Sequence, residues 1–162
     1  MNCVVADAGP LIALAKLELL DLPSRIFGQI LVPQTVLDEC REQVYSRDAI
    51  LIGEAVNNGL IEVRADVPWP EGIREPRLDA GEIAALAMAL QSHAGLLIDE
   101  ARGRREAAKL GIRVVGVCGL LLFGKREGWI VEVTPLLDHL RISGYYISPA
   151  LRERVLLQSG EA

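Results

Sequence analysis

The sequence predicts an α/β fold, a three-layer α/β/α sandwich around a mostly parallel central sheet. Short apolar runs alternate with segments of helical composition along the chain, the order that builds parallel sheets through crossover helices. Hydrophobic residues make up 51% of the 162 residues and aromatic residues only 4%. The core is therefore aliphatic, as strands covered on both faces require. No Pro-, Gly- or Ser-rich stretch divides the chain, so residues 1–162 read as one domain able to bury a real core. A C-terminal helical extension begins at about residue 135.

The elements follow in order. Cys3 to Ala6 is an apolar strand ending at Asp7, and Gly9-Pro10 punctuates it before a helix over Leu11 to Leu20. Gln29 to Val32 is a second strand; Pro33 then opens a helix over Gln34 to Glu42. Asp48 to Asn57 is helical, Asn58-Gly59 stops it, and Leu60 to Val63 is a third strand. Pro68, Pro70 and Pro76 make Arg64 to Arg77 a loop. The clearest helix is Ala80 to Gln91, with Asp79 placed to cap it. Gly95 to Ile98 is a strand ending at Asp99, followed by a helix from Arg102 to Leu110. Arg113 to Val117 is the last strand. Helices over Leu120 to Glu127, Leu136 to Arg141 and Pro149 to Leu157 complete the chain.

Composition excludes several classes. The apolar N-terminal stretch lacks a basic leader and carries Asp7, unlike a signal peptide. The run from Val114 to Gly124 is shorter than the ~20 residues of a spanning helix. Three widely spaced cysteines, Cys3, Cys40 and Cys118, read as free thiols of a cytoplasmic protein, not a disulfide framework. The net charge of −5 opposes nucleic-acid binding only on average. Arg102, Arg104, Arg105 and Lys109 cluster within eight positions, either as a solvated helix face or as a grip for RNA phosphates.

The acids carry the chemistry. Asp7 and Asp99 each follow an apolar strand, and ligands of parallel sheets bind beyond strand carboxyl ends. Each would alone read as a helix cap; two at one sheet edge point to a site. Glu39 borders the buried face marked by Val36, Leu37 and Cys40, whereas Asp38 turns away. Asp79 and Glu82 stand three apart, as a cap pair or as ligands. Phosphodiester cleavage needs activated water and dispersed charge, which one or two Mg²⁺ or Mn²⁺ ions on carboxylates supply. Only His93 and His139 occur, without zinc-ligand spacing.

Four segments then resemble the successive motifs of PIN-domain proteins. They are Val4-Val5-Ala6-Asp7-Ala8-Gly9-Pro10-Leu11, Val32-Pro33-Gln34-Thr35-Val36-Leu37-Asp38-Glu39, Leu78-Asp79-Ala80-Gly81-Glu82-Ile83-Ala84-Ala85-Leu86-Ala87 and Leu97-Ile98-Asp99-Glu100-Ala101-Arg102-Gly103-Arg104. The similarity runs from Cys3 to about Leu157 and is closest to prokaryotic proteins resembling VapC-type toxins. It implies Mg²⁺- or Mn²⁺-dependent endonucleolytic cleavage of RNA, homodimerisation and, for toxin members, inhibition by a small antitoxin protein. It also implies Asp7, Glu39, Glu82 or Asp79, and Asp99 as catalytic metal ligands. Glu100 stands where many relatives carry a second acid, and with Asp79 is assigned an auxiliary role. Arg102, Arg104 and Arg105 fall where RNA would pass. The chain departs from the commoner toxin pattern in having Glu82 where a helical Asp is usual. It also has valines in Val115-Gly116-Val117 where a small hydroxyl residue is often found.

Competing readings are weaker. Gly119 to Lys125 has P-loop spacing, but Arg126 replaces the Ser or Thr and Leu120 to Phe123 is an apolar helical run. There is no Gly-x-Ser-x-Gly elbow. A receiver-like domain wants an acidic pair after the first strand, where Asp7 is followed by Ala8-Gly9. A catalytically inactive PIN-like binding protein is the remaining alternative.

Overall fold

A computed structural model describes residues 2–162. The strands are β1 (Cys3–Ala6), β2 (Gln29–Pro33), β3 (Ile61–Arg64), β4 (Gly95–Leu97) and β5 (Val114–Val115). They form one sheet in the order β3-β2-β1-β4-β5, with every pairing parallel. The helices are α1 (Ala8–Lys16), α2 (Leu22–Phe27), α3 (Gln34–Cys40), α4 (Arg47–Asn57), α5 (Ala80–Ser92), α6 (Ala101–Lys109), α7 (Val117–Arg126), α8 (Thr134–Ile142) and α9 (Pro149–Ser159). This is the α/β sandwich that the alternation predicts.

The central strands are sealed on both faces. Val4, Val5, Ala6, Ile30, Leu31, Val32, Leu96 and Leu97 are each at most 1% exposed. That is why they read as unbroken apolar runs, with no in–out alternation. The edge strand β3 alternates: Ile61 is buried, while Glu62 and Arg64 are exposed and pair with each other at 3.2 Å. Helix α5 presents buried Ala84, Ala85, Ala87 and Ala89. Small side chains let it lie close to β1, β2 and β4, which it contacts. Leu137 and Leu140 of α8 and Val155 of α9 join the same core. Among the described residues no helix is long and apolar enough to cross a membrane.

Three elements differ from the sequence reading, each for a local reason. The first helix stops at Lys16, not Leu20, because Glu18 adopts a left-handed φ of 56°. The Glu18 N–H then donates to Ala15 O at 3.0 Å and the Leu19 N–H to Leu14 O at 2.8 Å, a Schellman closure that usually advertises itself with glycine. Six residues later the chain forms the unforeseen α2, with Pro23 in its first turn and Gly28 at its end. The last strand stops at Val115, not Val117, because the Asp99 carboxylate accepts the Val117 N–H and starts α7 there. The P-loop-like segment lies in that helix, with Leu120 and Leu121 buried.

A polar latch ties the C-terminal helices down. Glu161 accepts hydrogen bonds from Lys125 Nζ at 2.7 Å, Thr134 Oγ1 at 2.6 Å, and the Val133 and Thr134 N–H groups at 2.8 Å each. Burial opposes ionisation of Glu161, but these donors outweigh it and hold the carboxyl well below the usual carboxylate range. A lowered folded-state value means stability that is present above the unfolded value and lost as pH falls below it. Glu161→Gln is expected to cost about 2 kcal/mol at pH 7 by urea unfolding. Its loss of thermal stability on acidification below pH ~4.3 should also be shallower than that of the native chain. Equal stability of the two proteins at pH 7 would reject the latch.

Candidate active site

Parallel pairing places all five strand carboxyl ends along one edge. The Asp7 N–H donates to Leu97 O at 3.0 Å, and the Ile98 N–H to Val115 O at 3.0 Å. Asp7 and Asp99 therefore leave adjacent strands at the same edge. Helix α3 starts directly after β2 and carries Glu39 there, half-buried, while Asp38 is exposed and accepts from Gln34 Nε2 at 2.9 Å. Helix α5 packs against α3 and brings Gly81 and Glu82 in its first turn. A Cβ at position 81 would collide with Glu39 Oε1, and the Gly81 N–H donates to the Glu39 carboxylate. Glycine at 81 is what lets the two helices bring these acids together.

The acids differ in how they are satisfied. Asp79 caps α5, accepting the Glu82 N–H at 2.8 Å. Asp99 caps α7 and not the helix that follows it: Oδ1 accepts the Val117 N–H at 3.0 Å and Oδ2 accepts the Tyr145 hydroxyl. Asp7 sits at the cap position of α1 yet makes no side-chain cap bond. Its Oδ1 is buried without any hydrogen-bond partner. Glu82 is only 8% exposed, and Glu100 is exposed at the start of α6.

Electrostatics separate the acids into two sets. Burial raises the Asp7 carboxyl to about 7; the Ala8 N–H offsets part of this, and Glu82, Glu39 and Asp79 add to it. Burial likewise raises Glu39, with Asp79, Glu42 and Glu82 contributing. It also raises Glu82, with Asp79 and Glu100 contributing against the counter-effect of Arg102. Asp7, Glu39, Asp79 and Glu82 are thus one mutually repelling group. Asp99 is also raised by burial, but its influences are Tyr145, the Val117 N–H and Arg104, not the other acids. Cys40 is pushed up to about 12 by burial and by the Glu39 and Asp7 carboxylates. It stays a neutral thiol.

Of the basic residues, Arg102 donates to Arg77 O at 2.9 Å from the exposed face of α6. Arg104 turns inward, donating to Ile98 O at 2.9 Å beside Asp99. Arg105 is exposed. Tyr145 is the site residue that sequence reasoning missed. Forty-six positions separate it from Asp99, and no local pattern marks it. Burial, then the bonded Asp99 carboxylate and more weakly Asp7, hold the Tyr145 hydroxyl protonated.

Among the described residues no group of three or more histidine, cysteine, aspartate or glutamate side chains is arranged to hold a metal ion. The donors nonetheless fit a hard divalent cation by chemistry. They are carboxylate oxygens without a histidine among them, and one buried oxygen of Asp7 lacks any partner.

The fold and site together define a class of protein: a parallel α/β sheet with an acidic carboxyl edge, at whose centre one buried Asp7 oxygen has no partner. A family model for the DUF3368 PIN domain matches residues 3–161, and the chain belongs to that PIN-domain family. No curated protein sequence matches it. Among solved structures it is similar to a PilT N-terminus domain protein from the hyperthermophilic archaeon Sulfolobus solfataricus P2. The TM-score is 0.52 at 18% identity, covering 74% of this chain and 90% of that chain, a likeness of fold.

Gly81→Ala separates the site from the fold. The atom it displaces is the free end of the Glu39 side chain, so unfolding free energy is expected to stay within about 1 kcal/mol, alanine being the better helix former. If the acidic edge holds a divalent cation, Mn²⁺ affinity by titration should fall at least tenfold as the Glu39 carboxylate is driven off. Unchanged affinity would show that Glu39 does not belong to the site.

Proposed function

We propose that this PIN-domain protein is an endoribonuclease dependent on Mg²⁺ or Mn²⁺. One observation carries the reading: the Asp7 carboxylate is buried, has an oxygen with no partner, and faces Glu39, Glu82 and Asp79 at the carboxyl edge of the sheet. A buried anion left unpaired is costly unless a cation or proton compensates it. Asp7, Glu39 and Glu82 would hold the ion or ions, with Asp99 completing the set from the next strand. When bound, a divalent cation lowers the pKa of a water and stabilises charge on the phosphate oxygens.

The chain's own residues then have distinct tasks. Asp7 supplies the inner carboxylate at a position fixed by the β1–β4 ladder. Asp79 holds the first turn of α5 in register, so that Glu82 and Gly81 face α3. Tyr145 and the Val117 N–H orient Asp99, and Glu100 adds negative charge beside Glu82. The third acidic position is assigned to Glu82, because its side chain is buried among the other acids while Asp79 lies exposed as the cap of α5.

Asp7→Asn tests this directly. It is expected to abolish Mn²⁺-dependent cleavage of an RNA panel, and Mn²⁺ should raise the thermal midpoint of the native chain but not of the variant. Cleavage surviving in Asp7→Asn would refute the assignment.

We also propose that the protein acts as a cytoplasmic toxin, as a homodimer restrained by a small antitoxin protein. The motif resemblance to VapC-type toxins supports this. So does the exposed apolar segment at the α3–α4 junction, where Val44 is 65% and Tyr45 96% exposed. Affinity purification from the native host should recover the chain with a small protein in fixed proportion; recovery alone in repeated preparations would count against it.

A further inference from the structure

We propose that the groove between the proline-containing loop, residues 65–79, and helix α6 binds the sugar–phosphate backbone of one RNA strand and leads it to the acidic edge. The inference rests on the ribonuclease reading and extends it from the cleavage point to the path of the substrate.

The groove has a volume of about 470 Å³, and five cations line it: Arg74 and Arg77 from the loop, and Arg102, Arg105 and Lys109 from α6. Glu75 and Glu106 are its only acids, leaving a surplus of three positive charges in a chain whose total is −5. Glu106 is engaged by Lys109 at 3.0 Å. Among the described residues Arg74, Arg77 and Arg105 have no ion-pair partner, and all three are exposed. Uncompensated cations concentrated on an otherwise acidic molecule are the footprint of a polyanionic ligand.

The shape favours a single strand. Arg102, Arg105 and Lys109 recur at helical spacing along one stripe of α6, spanning about 10 Å at 1.5 Å per residue. Arg74 and Arg77 face them from the loop, so cations stand on both walls. Cations on two facing walls can bracket one sugar–phosphate backbone, whereas duplex RNA is contacted across its wide, shallow minor groove. The loop wall is fixed in place, since Arg102 donates to Arg77 O at 2.9 Å and Trp69 Nε1 to Ile73 O at 2.9 Å.

The groove also has a direction. Arg102 stands in the first turn of α6, which begins at Ala101, two residues after Asp99 at the carboxyl edge of the sheet, and its charge acts on the Glu82 carboxylate. That end of the stripe therefore opens on the acids, and Lys109 marks the far end. A backbone lying along the stripe would place its scissile phosphate at the carboxylates and its flanking phosphates against Arg105, Lys109 and Arg74. Arg104 is excluded from this path, being turned toward Ile98 O.

The test measures binding separately from cleavage. Fluorescence anisotropy of a single-stranded RNA of about ten nucleotides is followed in an Asp7→Asn background, with and without Arg74→Gln and Lys109→Gln together. Both positions are exposed, and circular dichroism checks that the fold is kept. Loss of two phosphate contacts should weaken binding about tenfold and flatten the slope of log K against log salt by about 1.4, at ~0.7 per contact for single strands. Arg154→Gln, at an exposed position of α9 outside the groove, should change neither. Undiminished RNA affinity in the double variant overturns the groove. So does equal affinity for a duplex of the same sequence, or an oligoglutamate peptide that binds as tightly as RNA and loses the same factor. Cleavage by the native chain is assayed in parallel. No cleavage with intact groove-dependent binding sinks the nuclease reading, and cleavage with groove-independent binding sinks this inference alone.

Discussion

A carboxylate buried at the carboxyl end of the central strand, with three further acids pressed around it, is the constraint to which the rest of the molecule answers. Asp7 cannot move away, because its own N–H is part of the hydrogen bonding that joins β1 to β4. It is largely shielded from water, being 7% exposed. Desolvation and like charge act in the same direction, raising the affinity of the site for anything positive, whether a proton or a cation. A fold tolerates such a cost only where the remaining structure over-determines it. Here that support is an aliphatic core whose strands are sealed on both faces.

The neighbouring elements are shaped by the same constraint. Where α5 packs on α3, the missing side chain at position 81 leaves the space that the Glu39 carboxylate occupies. Asp79 acts as a strut, its Oδ1 accepting the Glu82 N–H and holding the first turn of α5. Asp99 is held in one orientation by the Val117 N–H and the Tyr145 hydroxyl, each of its oxygens keeping a further lone pair. Asp7, with an oxygen that has no partner, is the acid left most underserved. This division of labour among similar side chains turns a cluster of negative charge into a centre with an inside and an outside.

Charge is segregated on a larger scale as well. The acids converge at the strand ends while cations line the first helix beyond them, so the −5 of the whole chain describes neither surface. An electronegative centre beside an electropositive groove suits a ligand that is itself a polyanion with one position to be attacked. On the proposed reading, phosphates away from that position would supply binding and the acidic edge would supply rate.

The α/β class, the parallel sheet and the order of elements were legible in the linear chain because burial on both faces leaves apolar runs that composition alone displays. Asp7, Glu39, Glu82 and Asp99 were equally visible, as acids following apolar strands or bordering buried helix faces. What sequence could not contain was the state of each acid. Asp99 bonds to Val117 and to Tyr145, eighteen and forty-six residues away, and Glu39 owes its place to a missing Cβ on another helix. Arg104 and Arg105 are neighbours in sequence but point to different environments. Helix α2 and the early end of α1 escaped for a related reason, since Glu18 fills a left-handed position without the glycine that would announce it. Local pattern fixes which residues reach the sheet edge, whereas hydrogen bonds across the fold decide which carboxylate is left unsatisfied, and that depends on distances no spacing along the chain records.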